Sequence, residues 1–211
     1  MEYYKLTDKL NRDEIVKDDD GKRYTYRFGA EKWVRSGIMV RYMWPEDSRF
    51  DEYIVISEDE AYKILDKQRR VINGLLDTAI KVVTNVYEGQ LDEEDKSYIN
   101  HLREVADSFE NTENKIVAYL YSVCRDNKIT VADLEKLGFT FRMLNSVEIL
   151  LEEKGISYDE YIRNVKKDSN ACNVKKEYIK YKLNILSLRN STQDEDKRIE
   201  KYRRTLEFLE N

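Results

Sequence analysis

The chain is poor in the residues from which metal and redox centres are built: its 211 residues include two cysteines, Cys124 and Cys172, and one histidine, His101. The cysteines lie far apart in helical patterns, with no CxxC spacing and no histidine beside them. Reduced thiols packed in or near a core are therefore expected, not a disulfide or a metal site. One imidazole cannot by itself hold a catalytic metal. The single proline, Pro45, falls in a turn-forming cluster, Trp44-Pro45-Glu46-Asp47. No stretch approaches the roughly 20 apolar residues that span a bilayer. The N-terminus, Met1-Glu2-Tyr3-Tyr4-Lys5, has neither the basic start nor the apolar run of a signal peptide, so a cytoplasmic protein with no membrane partner is expected. Concentrated positive charge is lacking too. The net charge is −5, with acids and bases spread along the chain, and without a basic stripe to neutralise phosphates nucleic acid is excluded as the main partner.

Hydrophobic residues make up 41% of the chain and charged ones 37%, and their clear periodicity argues for an ordered core with solvated helix faces. The length allows one medium domain, or a domain with a small module. Character changes near residue 57. Before it, residues 23–28, 32–43 and 52–56 are rich in aromatic and β-branched residues, with alternation in Tyr24, Tyr26 and Phe28 and in Tyr53 and Val55. Turn-forming clusters separate them, Asp18-Asp19-Asp20-Gly21 being one. The segment reads as a small antiparallel β-meander. Trp33, Trp44, Tyr24 and Tyr26 are expected to supply the core of so small a module, with an exposed aromatic contact face as the other reading.

Beyond residue 57 the pattern is helical. Ser57 with Glu60, Thr130 with Asp133, Ser157 with Glu160 and Thr192 with Glu195 have capping-box spacing, each marking a helix start. Helices are predicted over 58–87, 94–109, 112–126, 131–137, 140–153, 158–167, 169–187 and 193–209. The fold class is thus α+β, with a β-rich module over 1–56 and an all-helical domain over 57–211.

Landmarks in the helical part occur in a particular order. They are Tyr87-Glu88-Gly89-Gln90; Asp92 to Leu102, with Tyr98-Ile99-Asn100-His101; Tyr119-Leu120-Tyr121-Ser122-Val123-Cys124-Arg125-Asp126; Thr130 to Leu134 followed by Gly138-Phe139; Tyr158-Asp159-Glu160-Tyr161-Ile162; Val174-Lys175-Lys176-Glu177-Tyr178; and Glu200-Lys201-Tyr202-Arg203-Arg204 with Leu206 and Leu209. In order and spacing, residues from about 75 to 209 resemble the HD-domain phosphohydrolases of the stringent-response alarmone hydrolase type. There the corresponding stretches read HAGQ, DKxGxPYIxHP, LLHDxxED and VKLADLxDN. The resemblance implies an all-α HD-type domain.

It also implies where a metal would have been held: by a histidine, by an adjacent His-Asp pair and by a later aspartate. Such a set lowers the pKa of a bound water and polarises a phosphorus centre. Only the first ligand survives, as His101; Tyr121 and Ser122 stand at the His-Asp pair, and Tyr178 at the later aspartate. A tyrosine with a reference pKa of about 10 is neutral at pH 7, and neither it nor a serine hydroxyl suits a hard divalent ion. Arg125 occupies the glutamate position of the acidic pair, leaving Asp126. These exchanges make the former pocket about four charge units more positive, so Arg125, with Lys96 as a second contact, is a candidate anion site, opposed by Glu93.

Plainer roles stand beside each of these. His101 reads as a packed side chain, Tyr87, Tyr121 and Tyr178 as residues filling the space of metal and waters, and the Lys175-Lys176 and Arg203-Arg204 pairs as solvated faces. The leading expectation is a non-catalytic pseudo-enzyme without metal or cofactor that binds a partner protein, or else a nucleotide or phosphate. The alternative is a metal-dependent phosphohydrolase acting on a nucleotide such as guanosine tetraphosphate. A third reading is an adaptor whose β-module performs the recognition.

Overall fold

A computed structural model describes residues 1–90, 98–151, 155–187 and 193–211. An N-terminal five-stranded antiparallel sheet is followed by helices, eight of them among the described residues. Two compact units can be distinguished. The first is Met1–Asp77 with Glu110–Thr112, the second Thr78–Phe109 with Glu113–Asn211.

The first unit contains β1 (Glu2–Leu6), β2 (Ile15–Asp19), β3 (Lys22–Arg27), β4 (Lys32–Arg35) and β5 (Tyr53–Ile56), in the spatial order β4-β3-β2-β1-β5. The first four strands form a meander, and β5 returns to pair with β1, Tyr4 opposite Val55. Asp20 and Gly21 join β2 to β3 as a two-residue loop with φ of 51° and 77°, the positive pair of a type I′ turn, whose twist suits a hairpin. The predicted strand over 32–43 is shorter than expected. It ends at Arg35, and Ile38–Val40 forms a 3₁₀ turn instead. That turn folds Met39 and Tyr42, both fully buried, onto Tyr4, Leu6 and Val16. Burying those two side chains on one face of the sheet outweighs the β propensity of a continuous strand.

The other sheet face carries an aromatic cluster. Trp33 lies against Tyr3 and Tyr26 at ring-centroid distances of 6.2 and 5.3 Å, and Tyr62 of α1 (Glu58–Tyr87) meets Tyr3 at 6.2 Å. Trp44, by contrast, is exposed. The helix start at Ser57 is as read, its Oγ accepting from the Glu60 amide at 3.2 Å. The first unit extends past the strand-rich segment because α1 belongs to it as far as Asp77. Along that stretch Gln68 donates to the Asp13 carbonyl at 2.7 Å, and Arg69 reaches Glu31 at 2.7 Å and the Tyr26 hydroxyl at 3.2 Å.

The second unit contains the rest of α1, α2 (Tyr98–Asp107), all but the first residue of α3 (Thr112–Arg125), α4 (Val131–Lys136), α5 (Phe141–Leu150), α6 (Tyr158–Lys167), α7 (Ser169–Ser187) and α8 (Gln193–Glu210). The caps at Thr130 and Ser157 are present. Thr140 also caps α5 through the Met143 amide, and Thr192 lies outside the described residues. Helix α3 is deeply buried in this unit. Its apolar stripe predicts one buried face, yet every residue from Ile116 to Cys124 is buried, the pattern of a helix surrounded by others. Asp168 helps fix the register of α7: its Oδ1 accepts from the Ala171 amide and from Ser146 Oγ of α5, both at 2.8 Å.

Candidate functional site

The four residues that the resemblance aligns with metal ligands come from three helices of the second unit and meet in one buried cluster. His101 lies on α2, Tyr121 and Ser122 on α3, and Tyr178 on α7; all four are buried, Ser122 completely. Ser122 Oγ donates to the Ala118 carbonyl at 3.0 Å, which leaves the oxygen to accept a hydrogen bond from the Tyr178 hydroxyl. The Tyr121 and Tyr178 rings meet edge to face, 5.2 Å apart and at 89°, a favoured geometry for two aromatic quadrupoles. The His101 ring lies 6.3 Å from that of Tyr178 and 3.9 Å from that of Tyr181.

Tyr181 was not singled out from the sequence. The available signal was its position three residues after Tyr178, which puts both on one side of α7. Tyr87, at the end of α1, closes the cluster from another side; its hydroxyl donates toward Asp126 Oδ2 at 2.7 Å and the Ser122 carbonyl at 3.0 Å.

Arg125 sits one helical turn beyond Tyr121 and stands over both tyrosines, its guanidinium carbon 5.6 Å from the Tyr121 ring centre and 5.7 Å from that of Tyr178. Its Nε donates to Asp126 Oδ1 at 2.9 Å, and both side chains are about a third exposed. A cation over aromatic rings is held by their quadrupoles, and the adjacent carboxylate offsets its charge. Lys96, the second contact of the candidate anion site, and Glu93, which opposes it, lie outside the described residues.

Chemically the cluster is neutral hydroxyls and rings under an ion pair. Among the described residues no group of three or more His, Cys, Asp or Glu side chains lies close enough to hold a metal ion. A tyrosine hydroxyl that gives its proton to a serine oxygen offers no anionic oxygen to a cation, and Ser122 has already spent its own proton on the helix.

Both cysteines are buried in the same unit. Burial alone pushes the Cys124 thiol up to about 11. Cys172 is raised as well, by burial first, against the lowering effect of Lys176 and Lys166. The reacting species is the thiolate, so at pH 7.5 a thiol-selective reagent is expected to modify Cys124 at least about 100-fold more slowly in the native protein than after denaturation, each pKa unit removing about tenfold of the thiolate. Comparable rates in the two states would place Cys124 at the surface.

No protein-family model matches the chain. It is similar to a Schizosaccharomyces pombe protein described as "Putative proline--tRNA ligase", with 28% identity over 104 residues. That alignment takes in 49% of this chain, and the chain spans 14% of the length of that relative.

Proposed function

We propose that the helical unit is a non-catalytic member of the HD-domain phosphohydrolase type, a pseudo-enzyme that has exchanged metal chemistry for binding. The reading is supported by the convergence of His101, Tyr121, Ser122 and Tyr178: residues scattered over α2, α3 and α7, singled out by the resemblance, meet in one buried cluster. With the place of metal and water occupied by tyrosine rings, the chemistry that cleaves a phosphate ester has no Lewis acid and no activated water.

Of the two ligand classes, the site favours a protein partner over a nucleotide. A phosphate arriving at Arg125 would compete with Asp126 for the guanidinium at 2.9 Å, and would find its cation already stacked on Tyr121 and Tyr178.

Elemental analysis of the purified protein is expected to find no stoichiometric Mn, Fe, Co, Ni or Zn. Hydrolysis of guanosine tetraphosphate with added manganese is expected to stay at background. About one metal per chain, lost in His101→Ala, together with turnover on the order of 1 per second, would establish the phosphohydrolase instead. Calorimetric titration with guanosine diphosphate separates the binding classes. No saturable heat supports the protein partner, whereas saturable heat abolished by Arg125→Glu assigns the site to the anion.

A further inference from the structure

The sheet of the first unit has two edges, and they differ in chemistry. β4 begins and ends with a cation, Lys32 and Arg35, around the half-buried Trp33 and Val34; Lys32 is held by Glu110 at 2.7 Å, and Trp33 is packed against Tyr3 and Tyr26. A short, charged edge is a common way of refusing a foreign strand. β5 is as short but carries no charge of its own. It reads Tyr53-Ile54-Val55-Ile56, without charge or proline, and Ile54 and Val55 are 44% and 65% exposed.

The backbone of β5 is available as well. The Thr7 amide donates to the Glu52 carbonyl at 3.0 Å, and from that pair the antiparallel alternation turns the polar groups of Ile54 and Ile56 toward β1 and those of Val55 outward. Among the described residues neither the outward amide nor the outward carbonyl of Val55 is hydrogen-bonded. Trp44 and Phe50, on the loop that leads into β5, add exposed aromatic surface.

We propose that the free edge of β5 is a docking site for an extended segment of another protein, one with alternating apolar residues and a Lys or Arg cluster at each end. The flanks of the strand select that chemistry. Asp51 and Glu52 precede it, Glu58, Asp59 and Glu60 follow it, and all five are exposed. Main-chain hydrogen bonds from the added strand supply affinity, Ile54 and Val55 contact its alternate side chains, and the acidic flanks fix which segments are accepted.

The same charges disfavour a second copy of this chain pairing β5 to β5, since antiparallel pairing sets Asp51 and Glu52 of one copy beside Glu58 and Asp59 of the other. β4 of a second copy carries suitable cations, but Lys32 is engaged by Glu110, and joining β5 to β4 repeats without closure. The inference concerns the first unit alone and is independent of whether the helical unit derives from a hydrolase.

The test uses the full chain and a fluorescent peptide of alternating valine and threonine between two lysine pairs, followed by anisotropy. Saturable binding is expected, weakened at least about tenfold by Val55→Lys, at an unchanged unfolding midpoint, and by Glu52→Lys combined with Asp59→Lys; a tenfold loss corresponds to about 1.4 kcal/mol. With the unaltered protein, a peptide N-methylated at alternate amides is expected not to bind, because it cannot complete the ladder, and a peptide with glutamate pairs is expected not to bind either. The proposal is overturned by no saturable binding of the lysine peptide, by equal binding of the lysine and glutamate peptides, by undiminished binding of the N-methylated peptide, or by concentration-dependent self-association that Val55→Lys abolishes, which would make the occupant a second copy.

Discussion

Tyr121→Ala is expected to destabilise the protein by about 3–5 kcal/mol, the range for deleting a large buried aromatic side chain. The ring is 8% exposed, packs edge to face on Tyr178 at 5.2 Å, and carries the Arg125 guanidinium on its other contacts. Truncation therefore removes apolar burial, opens a cavity beside a helix that is buried all round, and takes away one of the two rings beneath a cation. Tyr121→Phe keeps the ring and is expected to cost no more than about 1.5 kcal/mol, the worth of a hydroxyl hydrogen bond. Chemical denaturation followed by far-ultraviolet circular dichroism measures both. If the alanine variant loses less than about 1 kcal/mol, Tyr121 is a surface residue whose role is contact, and the tyrosine cluster is no core.

That a cluster of this kind could be located before its geometry was known reflects where the information resides. Helix limits are written locally, in caps and in the period of apolar residues. The predicted ranges 158–167 and 169–187 coincide with α6 and α7, and 58–87 with α1. The resemblance to HD-domain phosphohydrolases then singled out His101, Tyr121, Ser122 and Tyr178, which the fold brings together. The partners within the cluster were not legible in the same way. Nothing local couples Tyr87 to Asp126, or places Tyr181 on His101; these are choices made by tertiary packing among helices distant in sequence. The all-round burial of α3 was hidden for a similar reason, since a stripe at helical spacing shows which face is apolar and not how many neighbours surround the helix.

The strands were harder to read. β1 carries Tyr3 and Tyr4 side by side, both buried on opposite faces of the sheet, so the alternation that marks a half-exposed strand is missing. β2 ends in Asp18 and Asp19, residues depleted in strands. Asp18 remains because its carboxylate accepts from Arg23 Nε at 2.8 Å and from the Gly21 amide at 2.7 Å. The Arg23 hydrogen bond, more than any other contact, holds its pKa below the usual carboxylate value. The turn read at 18–21 contracts to Asp20 and Gly21, and the two residues before it become the strand. Five strands in place of three also change what the module offers: adding β1 and β2 to the sheet makes β4 and β5 its two edges.

Gly29→Ala is expected to destabilise the protein by about 3 kcal/mol, through a mechanism that Gly21→Ala does not share. Both glycines have positive φ, 93° at Gly29 and 77° at Gly21, so alanine at either is strained by about 1 kcal/mol or somewhat more. Around Gly21 a new Cβ would meet nothing within 4 Å, and the cost stops there. At Gly29 the same atom would lie 2.3 Å from the Glu110 carbonyl oxygen and 2.6 Å from Thr112 Oγ1. Backbone cannot swing aside as a long side chain can, so the hairpin between β3 and β4 would have to part from the segment Glu110–Thr112. That separation breaks the hydrogen bond from the Thr112 amide to the Phe28 carbonyl at 2.9 Å and loosens the ion pair of Lys32 with Glu110. Two glycines of similar backbone conformation thus form their own control, and the difference between their unfolding free energies measures the close approach alone. Equal losses in the two variants would mean that residues 110–112 do not rest on the hairpin and that the first unit ends at Asp77, within α1.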